Sequence, residues 1–438
     1  MNASLLNPFN ITYPTAVQTS LPSQALLAKF DSTGRYVAAG QHNGAVLVWD
    51  LETRATVRWL EGHVRAITNI DWSRHSRFVL SSSKDWNINV WDLAADFDPP
   101  QPHTTLRFDA AVQCAWFHPK NSQIIAALTS SGDAYIIDLR LKYRSRVELE
   151  EPYEEGDEPH ASGHFSTIRF NPSGNLLFCG TTAGMILVFN SRTKSLVGRH
   201  RLSGAGVIRG LEFTRAGHRL VTNSSDRVLR QFNLPKYPIP SDDYFYLDTE
   251  LEPTHRFSDP INRNAWHVMM YSPDGEWLAG GASDNATHKI YIWDIVNDGR
   301  FTSTLDGGRE PLLHAHWHPS KPSIVSTTNQ GNVLIWHCPS PERWGAFAGG
   351  FEEVDENVEY EEREDEFDIE DENEISKRKM REEEEDVDIE TGVELNMESP
   401  RVNGDLHDED LLWAEDEPDE DKPGWKLRLI MVEDDDDM

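Results

Sequence analysis

Short apolar segments recur along the first 340 residues at a nearly constant spacing. Each ends in an aromatic or β-branched residue followed by a polar one, as in VLVWD, INVWD, YIID, ILVFN, VLRQFN, IYIWD and VLIWH. Successive segments end 42, 46, 52, 43, 61 and 43 residues apart, at Asp50, Asp92, Asp138, Asn190, Asn233, Asp294 and His337. This spacing is the period of the WD repeat, in which each unit forms four strands.

A second pattern lies upstream in most units, where a strand, a turn and another strand follow one another. Examples are DWSRHSRFVLSSS, FNPSGNLLFCG and YSPDGEWLAGG, in which Pro, Ser or Gly turns the chain between apolar residues. Seven such units predict an all-β fold, a seven-bladed WD-repeat β-propeller over residues 21–340. We expect part of residues 1–20 to supply an outer strand that closes the ring. The two largest spacings between repeats, 52 and 61 residues, indicate insertions near residues 147–160 and 235–252.

One unit carries the polar residues that join the strands of a WD blade. His63, Ser81, Asp85 and Trp91 have the spacing of the His, Ser, Asp and Trp tetrad. A His–Asp pair can also act in catalysis, but buried polar groups need partners and this pair recurs as a structural element of the fold. We therefore expect a structural network, complete in this one blade.

Other arrangements that could indicate chemistry are weak. His314, His316 and His318 alternate as metal ligands can, but His318-Pro319 repeats the turn formed by His118-Pro119. The sequence has no P-loop ending, no Gly-x-Ser-x-Gly elbow and no His-Glu-x-x-His motif. These observations favour a protein that is not an enzyme and needs no cofactor or metal.

Charge divides the chain at about residue 340. The net charge of −33 consists of −30 in the last 98 residues and −3 in the first 340, so the expected propeller is nearly neutral. An acidic segment of this composition predicts a mostly disordered interaction tail. The three cysteines, an odd and widely spaced set, suit a reducing compartment, and no apolar run is long enough to cross a membrane.

Apolar residues interrupt the acidic tail at intervals. They are Trp344, Phe347 and Phe351 after the last repeat, then Tyr360, Phe367 and Ile369 in ENVEYEEREDEFDIEDE, then Val387 and Ile389 in EEEEDVDIET. Alternation of apolar and acidic residues suits an extended peptide that docks on another protein. Composition alone leaves a simple solvating tail equally open. A basic cluster at Lys377–Arg381 is either a nuclear localisation signal or an interruption of the negative charge.

The tail motif ENVEYEEREDEFDIEDE, preceded by WGAFAGGF and followed by DVDI, resembles one family of WD-repeat proteins. This is the retinoblastoma-binding protein 5 family, core subunits of the COMPASS and MLL histone H3 lysine 4 methyltransferases. LLNPF, GAVLVWD, DRVLR, AWFHP and HWHP extend the resemblance to the repeats, so that it covers roughly residues 1–390. It implies a nuclear scaffold subunit that contacts nucleosomes.

The resemblance also implies partners for particular segments. Within residues 341–372, it assigns Trp344, Phe347 and Phe351 to a SET domain, and Tyr360, Glu364, Phe367, Asp368 and Ile369 to the SPRY-domain (Ash-two-like) subunit. Within the acidic tail 373–438, it assigns a docking peptide near 382–391, with Asp386, Val387, Asp388 and Ile389, to a second WD-repeat subunit. It places Arg227, Arg263 and Arg309 towards nucleosomal DNA, and a further family arginine has no match in Ser283–Thr287.

Two other functions compete with the scaffold. A histone chaperone would bind basic histones through the charge of the tail, and would tolerate loss of Phe367 and Ile369 if that charge remained. A coat or trafficking propeller would need no acidic FDI peptide. The sequence assigns no role to residues 392–438.

Overall fold

A computed structural model describes residues 13–95, 99–152, 163–237, 246–258, 265–284, 286–338, 413–415, 419–425 and 427. These residues form 29 β-strands in seven sheets. Within this part of the chain no α-helix is present, and a 3₁₀ turn lies at Trp413–Glu415. No helix among these residues is long and apolar enough to span a membrane.

The strands of blades one to three follow one another along the chain. Blade one consists of β2 to β5, at Ala25–Phe30, Tyr36–Gln41, Val46–Asp50 and Ala55–Leu60. Blade two consists of β6 to β9, at Ile67–Trp72, Phe78–Ser83, Asn87–Asp92 and Thr104–Arg107. Blade three consists of β10 to β13, at Val112–His118, Asn121–Thr129, Ala134–Asp138 and Ser145–Leu149.

The insertion between the third and fourth strands of blade five adds a fifth strand to blade four. Blade four contains β14 to β17, at Phe165–Phe170, Leu176–Thr181, Met185–Asn190 and Leu196–Leu202, and a fifth strand, β21, at Leu247–Leu251. Blade five contains β18, β19, β20 and β22, at Ile208–Phe213, Arg219–Ser224, Leu229–Asn233 and His255–Phe257. Strand β21 pairs with β17 in parallel, so the insertion after β20 extends the preceding blade before the chain returns to complete its own.

The remaining strands form blades six and seven. Blade six consists of β23 to β26, at Trp266–Tyr271, Trp277–Ala282, Lys289–Asp294 and Arg300–Asp306. Blade seven consists of β27 to β29, at Leu312–Trp317, Ile324–Thr328 and Asn332–His337, with β1, at Ala16–Pro22, as its outer strand. Strand β1 pairs with β29 in antiparallel fashion, and Val17 lies opposite Trp336.

The inner strands of the seven blades contact one another in a closed circle, since β27 of the last blade packs on β2 of the first. The prediction of a seven-bladed propeller is therefore confirmed. Buried apolar residues fill the spaces between sheets, as in the cluster that joins Leu60 of blade one to Ile70 and Trp91 of blade two. The repeated VLVWD-type segments are the third strands of the blades, buried between neighbouring sheets.

Strand direction defines two ends of the propeller. Neighbouring strands within a blade are antiparallel, apart from the β17–β21 pair, so the first and third turns of each blade lie at one end. We call this end the turn face. The second turns and the links between blades lie at the other end, which we call the link face.

Candidate interaction surfaces

The polar tetrad of blade two is a continuous hydrogen-bonded chain. Trp91 Nε1 donates to Ser81 Oγ at 2.9 Å, and Ser81 Oγ lies 2.9 Å from His63 Nε2. His63 Nδ1 lies 2.9 Å from the Asp85 carboxylate, which also accepts the amide of Val64. Burial lowers the pKa of His63, although Asp85 opposes this effect. Because a carboxylate can only accept, His63 donates from Nδ1.

This network holds the blade together, as its spacing predicts. His63 and Ser81 are buried, and the Trp91 side chain is 1 % exposed, so the groups satisfy one another inside the sheet. Blade seven repeats three of the four members, because His288 Nε2 and Trp336 Nε1 both lie 2.8 Å from Ser326 Oγ. Gln330 stands where blade two has its aspartate.

The histidines of the two His-Pro turns form hydrogen bonds between neighbouring blades on the turn face. His118 Nε2 of blade three lies 2.9 Å from the Gly174 carbonyl oxygen of blade four. His318 Nε2 of blade seven makes the same bond, at 3.1 Å, to the Gly34 carbonyl oxygen of blade one. The second bond therefore spans the point where the ring closes. Among the residues that the structure describes, no group of three His, Cys, Asp or Glu could hold a metal ion.

Charged side chains from the inner strands line the central channel, which encloses a cavity of about 650 Å³. Lys29 Nζ lies 2.5 Å from Asp71, and Arg169 Nη2 lies 2.7 Å from Glu212. The ring of Trp116 lies between the two cations, 4.6 Å from the Lys29 ammonium and 4.0 Å from the Arg169 guanidinium. Burial lowers the pKa of Lys29 and raises that of Glu212. The channel wall is thus polar, and these four charges form two ion pairs.

Comparison with known proteins places this fold and sequence among WD-repeat proteins. The family model "WD domain, G-beta repeat" matches residues 54–92, which include most of blade two. The chain is 34 % identical to the Set1 complex component swd1 of Schizosaccharomyces pombe, over 85 % of this chain and 91 % of that protein. It is 32 % identical to the COMPASS component SWD1 of Saccharomyces cerevisiae, over 85 % and 89 %.

An animal relative and a solved structure belong to the same group of proteins as these two yeast relatives. The retinoblastoma-binding protein 5 homolog of Drosophila melanogaster is 31 % identical over 85 % of this chain and 73 % of its own length. The chain belongs to the Swd1/retinoblastoma-binding protein 5 family. The crystal structure of the Myceliophteria_thermophila Cps50 (Swd1) β-propeller domain matches with a TM-score of 0.66 and 27 % identity. That match covers 74 % of this chain and all of the domain.

Two of the three arginines expected to face DNA are exposed on the same end of this Swd1-family propeller. Arg227 lies in the second turn of blade five, with φ 70°, and its carbonyl oxygen accepts a 3.0 Å bond from Trp266 Nε1. Arg309 lies in the link from blade six to blade seven. Both positions belong to the link face. Arg263 lies outside the described residues.

The tail residues expected to dock partners also lie outside the described residues. They are Trp344, Phe347, Phe351, Tyr360, Glu364, Phe367, Asp368, Ile369, Asp386, Val387, Asp388 and Ile389. Sequence reasoning missed a different set, near the C-terminus, that contacts the propeller. Trp413, Ala414, Asp419, Asp421 and Trp425 pack against blades one to four. Two tryptophans in a strongly acidic segment were the signal that could have found them.

Proposed function

We propose that this protein is a non-catalytic scaffold subunit of a histone H3 lysine 4 methyltransferase complex of the COMPASS type. The observation that carries the proposal is 34 % identity, over most of both chains, to a protein named as a component of the Set1 complex. A second relative carries the name of a COMPASS component. Such a subunit acts in the nucleus, where the histone substrate of the complex lies.

The proposed partner contacts are those that the family resemblance of the tail motifs implies. Residues 341–351 dock on the SET-domain subunit, and residues 360–369 dock on the SPRY-domain subunit. Residues 386–389 dock on a second WD-repeat subunit. Each segment combines apolar side chains with flanking carboxylates, which suits a peptide that fills apolar pockets beneath a basic rim. Arg227 and Arg309 contact the phosphates of nucleosomal DNA from the link face, and Arg263 contributes a third phosphate contact.

The propeller fits this role through its shape and its balanced charge. It is a closed ring with seven blade edges, and the channel charges of Lys29, Asp71, Arg169 and Glu212 are already paired. Its net charge is close to neutral, so local arginines rather than a bulk field must supply any DNA contact. The tail has the opposite character, since −30 of the net charge of −33 lies there.

The test is purification of the intact chain from its native cells through a small affinity tag at its N-terminus. We expect a SET-domain protein, a SPRY-domain protein and a second WD-repeat protein to co-purify in stable proportion, together with methyltransferase activity on histone H3 lysine 4. Recovery of free histones without these subunits and without activity would instead support a chaperone.

A further inference from the structure

The segment from Trp413 to Leu427 returns from the tail to the turn face of the propeller. We call its described residues, 413–415, 419–425 and 427, the C-terminal strap. It crosses from the space between blades three and four to the space between blades one and two. The propeller residues that it meets lie in the first and third turns of blades two and three and at the adjoining strand ends.

The first end of the strap is held by apolar packing and by a buried arginine. Ala414 is 1 % exposed and belongs to the core cluster between blades three and four, with Trp413 packed against that cluster. Arg140 donates a 2.6 Å bond to the Trp413 carbonyl oxygen, and its guanidinium lies 4.7 Å from the centre of the Trp413 ring. Asn121 Nδ2 donates to the Ala414 carbonyl oxygen at 2.7 Å.

Arg140 shows how closely this end is fitted. Its side chain is fully buried, and Asp138 balances its charge at 2.7 Å. The rings of Trp413 and Tyr143 lie 4.7 Å and 4.6 Å from the guanidinium, and the Trp413 carbonyl oxygen accepts from a nitrogen that does not bond to Asp138. A buried arginine needs partners for its remaining donors, and the strap supplies one.

Carboxylates in the middle of the strap accept backbone amides of the propeller. Asp419 accepts the Ser122 amide at 2.7 Å and the Ser122 hydroxyl at 2.6 Å. Asp421 is 5 % exposed and accepts the His75 amide at 2.7 Å. These bonds to charged acceptors fix the strap at one register on blades two and three. Arg77 adds a 2.7 Å bond to the Glu420 carbonyl oxygen.

The second end of the strap is also held by a tryptophan that packs on the propeller and by a hydrogen bond. Trp425 Nε1 donates a 2.5 Å bond to the His75 carbonyl oxygen. Trp425 and Leu427 pack against the core cluster between blades one and two. The strap is thus a peptide with an aromatic residue near each end and carboxylates between them, and each part meets a complementary group.

We propose that the turn face of blades one to three is a peptide-binding site, and that its ligand is the chain's own C-terminal strap. Because the strap is bound, the tail is attached to the propeller at both ends, at residue 338 and at residue 413. Residues 341–372 and 382–391 lie between these two points in the sequence, so they belong to a closed loop. The strap occupies the turn face and leaves Arg227 and Arg309 on the link face uncovered. The site is independent of the partners proposed above.

Limited cleavage of the full chain tests this proposal. A recognition site for a specific protease is inserted after Gly392, the chain is folded intact, and the tail is then cut. We expect the C-terminal fragment to co-elute with the propeller in gel filtration at about 1 µM, which requires a Kd at or below that concentration. Elution of the fragment on its own would overturn the proposal. A concentration-dependent dimer of the uncut chain would show that the strap binds a second copy, which would also overturn it.

Variants of the strap test its contacts. Trp413→Ala with Trp425→Ala is expected to weaken retention of the cut fragment by more than about a hundredfold, because neither indole then packs against the propeller. Asp419→Asn with Asp421→Asn is expected to weaken retention by about tenfold or more, whereas Asp434→Asn with Asp435→Asn makes the same change of charge and leaves it unaltered.

Hydrogen exchange of the uncut chain gives a second measurement that does not depend on cleavage. The amides of His75 and Ser122 are expected to be protected in the wild type and to exchange at least tenfold faster in the aspartate double variant. For the Trp413→Ala with Trp425→Ala variant, the control is Trp59→Ala, which removes a half-exposed tryptophan on β5 and measures the general effect of losing an indole. Unchanged exchange at His75 and Ser122 in the aspartate variant would contradict the assigned bonds.

Discussion

The His318 imidazole of blade seven lies 3.1 Å from the carbonyl oxygen of Gly34 in blade one, across the closure of the ring. Gly34 has φ +79°, and a Cβ added to it would overlap the imidazole ring. The glycine is therefore required twice, once for its backbone conformation and once for the space that the histidine fills.

Gly34→Ala is expected to reduce the free energy of unfolding by about 2–4 kcal/mol, as backbone strain and displacement of His318 add together. Gly204→Ala is the matched control, since Gly204 has φ +67° and a Cβ added there would have no neighbouring atom within 4 Å. That control is expected to cost only about 1 kcal/mol. Urea denaturation of both variants measures the difference, and equal destabilisation would contradict the role of His318.

Removal of β1 is expected to open the edge of blade seven. A chain without residues 1–22 cannot form the pairing of Ala16–Pro22 with β29, and its melting temperature is expected to fall by roughly several degrees. A chain without residues 1–12 keeps that strand and is the control. Thermal unfolding followed by circular dichroism distinguishes them, and equal melting temperatures would show that β1 adds nothing to ring closure.

The stability of the propeller is expected to fall below neutral pH because several histidines are buried as neutral groups. Burial lowers the pKa of His288 to about 4, although Glu310 and Asp306 oppose this, and burial also lowers the pKa values of His118 and His314 to about 4. Below about pH 6.5 the unfolded chain takes up protons that the native protein does not. At pH 5.5 each such histidine therefore costs about 1 kcal/mol relative to pH 7.5.

His288→Gln isolates one of these groups. The difference in unfolding free energy between pH 7.5 and pH 5.5 is expected to be smaller in this variant by about 1 kcal/mol. His42→Gln removes an exposed imidazole and measures the effect of the substitution at the surface. If His288→Gln kept the full pH dependence of the wild type, the buried neutral state of His288 would be wrong.

Replacement of the three arginines expected to face DNA is predicted to weaken nucleosome binding by the assembled complex. Arg227→Ala, Arg263→Ala and Arg309→Ala together should lower the affinity and reduce the salt slope by about 0.9 for each phosphate that is no longer neutralised. Arg54→Ala, Arg144→Ala and Arg192→Ala remove the same charge from turn-face positions and serve as the control. Nucleosome binding is measured for both triple variants at several salt concentrations. An equal decrease in affinity in both would show that overall charge, rather than contacts by these particular arginines, determines binding.

Loss of two apolar side chains within the acidic tail separates a scaffold from a chaperone. Phe367→Ala with Ile369→Ala leaves the tail charge at −30 but removes roughly 3–5 kcal/mol of burial in the partner's pockets. Affinity for the SPRY-domain subunit is expected to fall more than about a hundredfold, and the methylation rate of the reconstituted complex should fall with it.

The control for this variant is Val393→Ala with Leu395→Ala, two apolar residues after the predicted docking peptides. It is expected to leave binding and methylation unchanged. If the Phe367 and Ile369 variant also stayed within about threefold of the wild type for both quantities, the docking interpretation would fail and a bulk electrostatic tail would be favoured.

The repeat pattern predicted the seven blades because each unit places the same apolar positions between sheets, as Val46 and Val48 do in blade one. The tetrad was predictable for the same reason, since His63 and Asp85 keep a fixed spacing. The course of the insertion after β20 was not predictable. The repeat pattern does not indicate whether Leu247–Leu251 joins its own blade or the preceding one. The strap was also missed, since it pairs Asp421 with His75, hundreds of residues apart.

The pairing of β1 with β29 also sets an order of events during synthesis. Val17 leaves the ribosome more than three hundred residues before its partner Trp336. At ordinary elongation rates this delay is on the order of tens of seconds. During that time blades can form one after another, while β1 has no strand to join. The ring can therefore close only after β29 has emerged, and a chain that stalls before that point leaves β1 unpaired.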